Sequence, residues 1–184
     1  MNSSEKIIPT IYTQRLELVP LKTDDAVLLH RIYQEEGVLR YFPNTIPPPL
    51  EKVERFIAGQ QEHWDKFGYG NWGILPVGEA EIIGWAGLQF VPELDKTEVG
   101  FLLNRPFWGK GFATAAARTS LVFGFKQFGF ESIISLVHPE NIASSRVIEK
   151  CCMVYEETIS LWGMELMRYR VDKTTFMTSV EKEK

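Results

Sequence analysis

The segment from Lys96 to Phe128 constrains this chain more than any other. Lys96 to Leu103 reads as a strand, and Asn104 to Lys110 turns through Pro106 and Gly109. A second glycine, Gly111, then opens a helical pattern carrying Phe112, Ala116, Thr119 and Phe123 at i, i+4, i+7 and i+11. The first turn of a helix presents unpaired backbone N–H groups and the positive end of the macrodipole, and glycines beside it let a ligand approach the backbone closely. Such a junction is an anion site. Between Gly109 and Phe128 the charged residues are Lys110, Arg118 and Lys126, with no carboxylate. Helices ordinarily favour acids in the first turn, so a bound anion would supply the missing charge. The string is not a Walker A loop, which needs G-x-x-x-x-G-K-S/T. Nor is it a dinucleotide fingerprint, because Gly109-x-Gly111-x-x reaches Thr114 where glycine or alanine is required. A plain strand-to-helix turn with two convenient glycines remains the alternative.

The flanking patterns describe one mixed α/β domain. Arg15 to Pro20 alternates as a half-buried strand, Thr23-Asp24-Asp25 caps a helix through about Glu36, and Pro47-Pro48-Pro49 precedes a helix from Leu50 to Phe67. Asn71 to Leu75, Glu81 to Phe90 and Lys96 to Leu103 follow as three strands joined by short turns, which predicts an antiparallel meander. Gly129 is placed to end the long helix. A strand (Ile133 to Val137), a short helix (about Ser144 to Cys151) and two strands (Val154 to Thr158, Glu165 to Val171) complete the pattern. The expectation is a single domain over 1–184, with its core at about 10–172 and with 173–184 as a loose polar tail.

Composition narrows the setting. Twenty Lys and Arg against 24 Asp and Glu give a net charge of −4, so no cationic field points to nucleic acid. Adjacent Cys151 and Cys152 make neither a disulfide framework nor a zinc spacing, and read as buried thiols of a reducing compartment. Met1 to Lys6 has no positive leader followed by an apolar run, and no stretch approaches 18 apolar residues. The expected location is the cytoplasm, away from membranes. His30, His63 and His138 lack metal-ligand spacing, and no metal is expected. The first two fall on helical patterns, to face solvent or cap the core, while His138 lies three residues before Asn141 and is the one to test in a site. Trp72, Trp85, Phe101 and Trp162 are candidate acceptor-pocket aromatics, though such residues on strands are more often core.

Taken together the motifs resemble the GNAT superfamily of N-acetyltransferases, and within it the RimJ/RimL-like branch that acetylates ribosomal-protein N-termini. Trp108-Gly-Lys-Gly-Phe-Ala-Thr114 is similar to the family's pyrophosphate loop, with Trp108 in place of the usual Gln or Arg. Thr13 to Leu21, Tyr69 to Trp72, Ile83 to Gly87, Glu98 to Leu103 and Pro139 to Lys150 resemble the branch's other segments in order. The resemblance implies a mostly antiparallel, twisted central sheet of about six to seven strands flanked by helices. It also implies acetyl-CoA as cofactor, paired with the backbone of Val99, Gly100, Phe101, Leu102 and Leu103. The pyrophosphate would be seated on Trp108, Gly109, Lys110, Gly111, Phe112, Ala113 and Thr114.

On the same resemblance Glu98 is the base that takes the acceptor's proton, a carboxylate whose pKa burial would raise, and a backbone N–H near Phe101 faces the oxyanion. Superfamily members often place a tyrosine acid where this chain has Ile148. The substitutes are Ser144, with Asn141 orienting it or the cofactor, and then Tyr155. Cys152 stands where the branch usually has glycine, which questions the local turn. The implied reaction is acetyl transfer to a primary amine, a protein N-terminus first and a small amine (aminoglycoside, polyamine, amino acid) second, in a monomer or homodimer. A non-catalytic acyl-CoA-binding module and a nucleotide or phosphate binder are the rival classes.

Overall fold

The computed structural model describes residues 7–182; Met1 to Lys6, where no leader is expected, and the last two residues lie outside them. The strands are β1 (Ile11–Tyr12), β2 (Leu16–Val19), β3 (Asn71–Pro76), β4 (Gly84–Val91), β5 (Lys96–Leu103), β6 (Ser132–Val137), β7 (Val154–Leu161) and β8 (Met164–Asp172). The helices are α1 (Asp25–Gln34), α2 (Leu50–Phe67), α3 (Phe112–Gln127), α4 (Ile142–Lys150) and α5 (Lys173–Lys182). One eight-stranded sheet runs in the order β1-β2-β3-β4-β5-β6-β8-β7. Its pairings are antiparallel except β5–β6. A parallel pair needs a crossover, and α3 provides it. The strand count exceeds the expected six to seven because the two-residue β1 is too short to leave a period in the sequence.

Helix ends follow local chemistry. α2 begins after Pro49, which is extended and has no N–H to lose, and ends at Gly68, whose φ of +77° suits the left-handed cap. α3 starts from Gly111 at φ +81°. At the end of α4, Cys152 takes a left-handed φ of +60° with Cys152 N–H bonded to Glu149 O and Met153 N–H to Ile148 O. This is a Schellman cap built on a residue other than glycine, a strain of roughly 1–2 kcal/mol. The turn therefore keeps its glycine geometry without the glycine. Cys151 is buried and Cys152 half-buried, and both are free.

The larger core lies between the sheet and α3, α4 and α5, with Leu16, Ile74, Leu88, Val99 and Ile133 packed against Ala116, Leu121, Phe125, Ile148 and Phe176. The smaller core packs α1 and α2 on the other face through Leu29, Ile32, Val53 and Ile57 against Leu102 and Ile82. The strand residues of this second cluster come from β2 to β5 and none from β6, β7 or β8. The helical cover on that face thus ends at β5.

The tail expected to be loose from residue 173 is instead α5. Phe176 is fully buried and tilts against Phe125 at 5.5 Å between ring centres, with Met177 and Val180 on the same core. Three apolar residues at i, i+1 and i+4 suffice for a docked helix although the segment is mostly polar. His63, expected to face solvent or cap the core, straps α2 to the sheet: Nδ1–H donates to Tyr69 O at 2.7 Å, and Phe90 N–H donates to Nε2 at 3.1 Å. Accepting from Phe90 requires the neutral ring, and burial, with Lys66 nearby, lowers its pKa below 6.5.

Replacing Phe176 with alanine should cost about 3–5 kcal/mol in denaturant unfolding, whereas a loose tail would lose almost nothing. The lowered pKa of His63 means that its contribution is present above pH 6.5 and declines as the pH falls and the unfolded chain takes up the proton first. Unfolding at pH 7.5 and 5.5 should accordingly show a gap between wild type and His63→Ala that narrows at the lower pH.

Candidate functional site

β5 and β6 are paired at one position, Glu98↔Ile134, and then part. N–H and C=O of alternate residues point to opposite sides of a strand. β5 pairs with β4 along its whole length, including Gly84↔Leu103, Gly87↔Gly100 and Gln89↔Glu98. A Cβ on Gly84 would lie 2.0 Å from Leu102 O, so the even-numbered residues address β4 and Val99, Phe101 and Leu103 address β6. In an uninterrupted ladder the next bond would join Leu136 N–H to Val99 O. Both groups are diverted: Leu136 N–H donates to Glu98 Oε1 at 3.2 Å, and Ser135 Oγ donates to Val99 O at 3.1 Å. Four residues on, Leu103 O accepts the indole N–H of Trp108 at 2.8 Å. The backbone of Phe101 lies between, facing the opening. Gly100 and Leu102, expected among the backbone partners of a cofactor, are already committed to β4.

Because β5 and β6 are parallel, their carboxyl ends lie together, and a helix starts beyond each. Ligand crevices in α/β sheets form at such ends. Beyond β5, Gly109 (φ +72°) and Gly111 (φ +81°) carry the chain into α3, which has no side-chain cap bond and no acid in its first turn. A Cβ on Gly109 would meet nothing within 4 Å, so the loop's outer surface is open. Arg15, which the sequence reading passed over, braces this loop: its Nη2 donates to Lys110 O at 2.6 Å and its guanidinium lies 5.0 Å over the Phe112 ring. Lys110 sits 5.2 Å over the Phe107 ring, leaving two cations at an N-terminus whose dipole is already positive. Ala113 and Thr114 are half-buried in the first turn.

Beyond β6, Asn141 caps α4, its Oδ1 accepting Ser144 N–H at 3.1 Å. Ser144 is half-buried, and its hydroxyl has no partner among the described residues. His138 stands in the same turn, its Nδ1 accepting Glu140 N–H and its ring 5.2 Å from Tyr41 in the α1–α2 connection. Tyr155 lies elsewhere, on the outermost strand. Three strand spacings, about 14 Å, separate that strand from β5, and its hydroxyl bonds Thr158 at 3.0 Å. Glu98 and Phe101 on β5, the glycine turn beyond β5, and Asn141 and Ser144 beyond β6 all belong to the parallel pair and the helix starts that follow it, and Tyr155 lies outside it.

Glu98 is the electrostatic centre. It is 8% exposed, and loss of hydration pushes its carboxyl up to about 7, against the smaller opposing effect of the Leu136 N–H. Oε2 has no partner among the described residues, so one oxygen of the carboxyl stays available for a further hydrogen bond. By strand alternation Glu98, Gly100 and Leu102 share the face covered by α1 and α2, and Val99 and Leu103 face the larger core. Of the candidate aromatics, Trp72 is fully buried, Phe101 packs on the larger core, and Trp162 turns the β7–β8 hairpin with its N–H on Glu93. Trp85 lies on the Glu98 face.

Comparison with known proteins agrees with this fold. The acetyltransferase (GNAT) domain pattern matches residues 15–154. The chain is similar to YnaD of Bacillus subtilis, an uncharacterised N-acetyltransferase, at 41% identity over 78% of this chain and 81% of that one. It is also similar to the FsC-acetyl coenzyme A-N(2)-transacetylase of Aspergillus fumigatus, at 29% identity over 83% of this chain and 68% of that one. Among solved structures, the acetyltransferase from Agrobacterium tumefaciens C58 superposes with a TM-score of 0.78 and 26% identity over 90% of this chain and 95% of its own. The strand splay lined by a buried carboxyl and ending on a glycine turn at a helix N-terminus is the candidate site of this chain, which belongs to the acetyltransferase (GNAT) domain family.

Proposed function

We propose that this protein transfers the acetyl group of acetyl-CoA directly to a primary amine. The acceptor is a protein N-terminus, in the manner of the RimJ/RimL-like branch that Trp108 to Thr114 resembles. The reading rests above all on the interrupted β5–β6 ladder, which leaves the backbone of Phe101 unclaimed beside a buried carboxyl. The residues present fit acetyl-CoA. Gly109 leaves open space where a Cβ would stand, and the first turn of α3 offers N–H groups with no acid to repel a phosphate. When bound, acetyl-CoA supplies an acyl group already activated as a thioester.

In this reading Val99, Phe101 and Leu103 bracket the pantetheine arm from β5, and Phe101 N–H is the donor for a carbonyl oxygen held in the splay. Glu98 removes the proton that the acceptor ammonium must lose before its nitrogen can attack, directly or through one water. Ser144, oriented by the cap at Asn141, is the group placed to return a proton to the leaving sulfur. The second reading, a small-amine acceptor, is favoured by the relative from A. fumigatus, whose name describes an N(2)-transacetylase. The unpaired Cys151 and Cys152 fit a reducing compartment such as the cytoplasm.

Calorimetric titration with acetyl-CoA, followed by mass spectrometry of CoA release with mixed amines, tests the reading. Binding with amine-dependent release is the expected result. Absence of binding would remove the cofactor assignment, and binding without release for any amine would favour the regulatory module.

Glu98→Gln should lose most turnover while still binding acetyl-CoA, and kcat/KM of the wild type should rise through about pH 7 as Glu98 ionises. Stability moves the other way. The folded carboxyl holds its proton up to about 7 while the unfolded one ionises from 4.5, so Glu98 weakens folding as the pH rises through that window, by roughly 3 kcal/mol in the limit. Glu98→Gln should therefore be more stable than wild type at pH 8, with the difference vanishing below pH 4.5. For the glycine turn, Gly111→Asp is compared with Gly111→Asn, since both tolerate left-handed φ and only one adds charge. The acid should weaken acetyl-CoA binding by about tenfold more than the amide (~1.4 kcal/mol); equal losses would move the phosphate seat elsewhere.

A further inference from the structure

Trp85 packs against the smaller core, yet its ring reaches past its own row of the sheet. Its row partner across β4–β5 is Leu102, but its six-membered ring leans along the strand, so that Cζ3 lies 3.6 Å from where a Cβ on Gly100 would stand. The indole is held there from behind: Nε1–H donates to the hydroxyl of Tyr33 on α1 at 3.0 Å, and the Phe56 ring of α2 packs against it at 5.8 Å. Tyr33 is itself buried, so the indole has a rigid backing. Two residues along β5 from Gly100, on the same face, is Glu98. The result is a short strip with an aromatic wall at one end, bare glycine as its floor and one carboxyl at the other end.

Resting on the acetyl-transfer reading above, we propose that this strip is the acceptor seat. A primary amine points its nitrogen at Glu98 and lays an apolar or aromatic group, carried next to that amine, across Gly100 against Trp85. Gly100 lacks a side chain because the acceptor covers it. Its backbone needs no glycine, since it pairs regularly with Gly87 and has no left-handed φ, and an alanine Cβ would make only ordinary contact with Trp85. The wall suits one amine rather than several. Beyond β6 on this face the charged groups of β8 are Arg168, Arg170 and Asp172, which pair among themselves and with Glu156 and Glu157, so a polyamine's further ammonium groups would find these carboxylates already engaged. Burying an unpaired ammonium there would be costly. The chemistry is shared by a free arylalkylamine and by a peptide whose first residue is aromatic.

Gly100→Ala provides the test, with Tyr33→Phe as a second variant that keeps the packing and removes the acceptor of the Trp85 N–H. Steady-state rates are measured for 2-phenylethylamine, for a pentapeptide with a free N-terminal phenylalanine, and for spermidine, and acetyl-CoA binding is measured by calorimetry. The wild type should prefer one of the aromatic amines over spermidine by at least about tenfold in kcat/KM, and which of the two leads identifies the source. Gly100→Ala should raise the acceptor KM by about tenfold with acetyl-CoA affinity unchanged, and Tyr33→Phe should raise it severalfold. A wild-type acceptor KM in Gly100→Ala, a preference for spermidine, or turnover of none of the three would overturn the seat while leaving acetyl-CoA binding intact. Loss of acetyl-CoA binding by the wild type would instead bring down the transferase reading itself.

Discussion

Everything in the site depends on a parallel ladder that stops after one residue pair. Strands that diverge inside a sheet expose backbone groups with no partner, at a cost of about 1–3 kcal/mol for each one left buried and unsatisfied. This molecule closes the first such gap with side chains: Glu98 takes Leu136 N–H and Ser135 takes Val99 O. Trp108 closes the far end by bonding Leu103 O. Between these three bonds the backbone of Phe101 has no ladder partner on β6. The splay is thus flanked at both ends by specific hydrogen bonds, and the carboxyl that ends the ladder is the one proposed as the base.

That double role sets a local conflict. A carboxyl that is 8% exposed and receives one N–H bond is poorly solvated, and its rise to about 7 measures how much the fold resists its charge. For the base role proposed for Glu98 the resistance is useful, because a base near the working pH combines a sizeable ionised fraction with real basicity. It is tolerated because the adjoining layer is tightly packed: Leu88, Val99, Ala116, Leu121, Phe125 and Ile133 are all fully buried immediately beneath β4, β5 and β6. A core of that kind absorbs a few kcal/mol at one carboxyl without losing the fold.

The sequence displays what is local and hides what depends on pairing. The bounds of α2 were legible because Pro49 and Gly68 act on their own neighbours, and α3 because its apolar period and glycine start are contiguous. The meander of β3, β4 and β5 followed from short turns. The splay was not legible, since nothing in Lys96 to Leu103 or Ile133 to Val137 states that the two strands meet at one pair and separate. For the same reason Ser135 passed unnoticed: its task is set by a carbonyl 36 residues away in sequence. Arg15 was hidden likewise, 95 residues from the carbonyl it braces. Tyr155 shows the converse error, a chemically suitable residue that sheet order carries to the far edge. α5 was missed because its core-facing residues are few and lie among polar ones.

The two sides of the site are built to different standards of rigidity. The glycine turn hangs between β5 and α3, both packed into the larger core, and is clamped again by Arg15. The proposed acceptor side borrows its outer rim from the α1–α2 connection. That rim meets the sheet's open end through a ring contact, Tyr41 on His138, and an exposed ion pair, Arg105 with Glu36 at 3.0 Å. Exposed pairs of this kind contribute at most about 1 kcal/mol. One half of the site can therefore hold a fixed phosphate and thioester geometry while the other changes its rim residues without disturbing the sheet. Family membership speaks for the rigid half, and acceptor identity has to be read from the few side chains that reach across to Glu98.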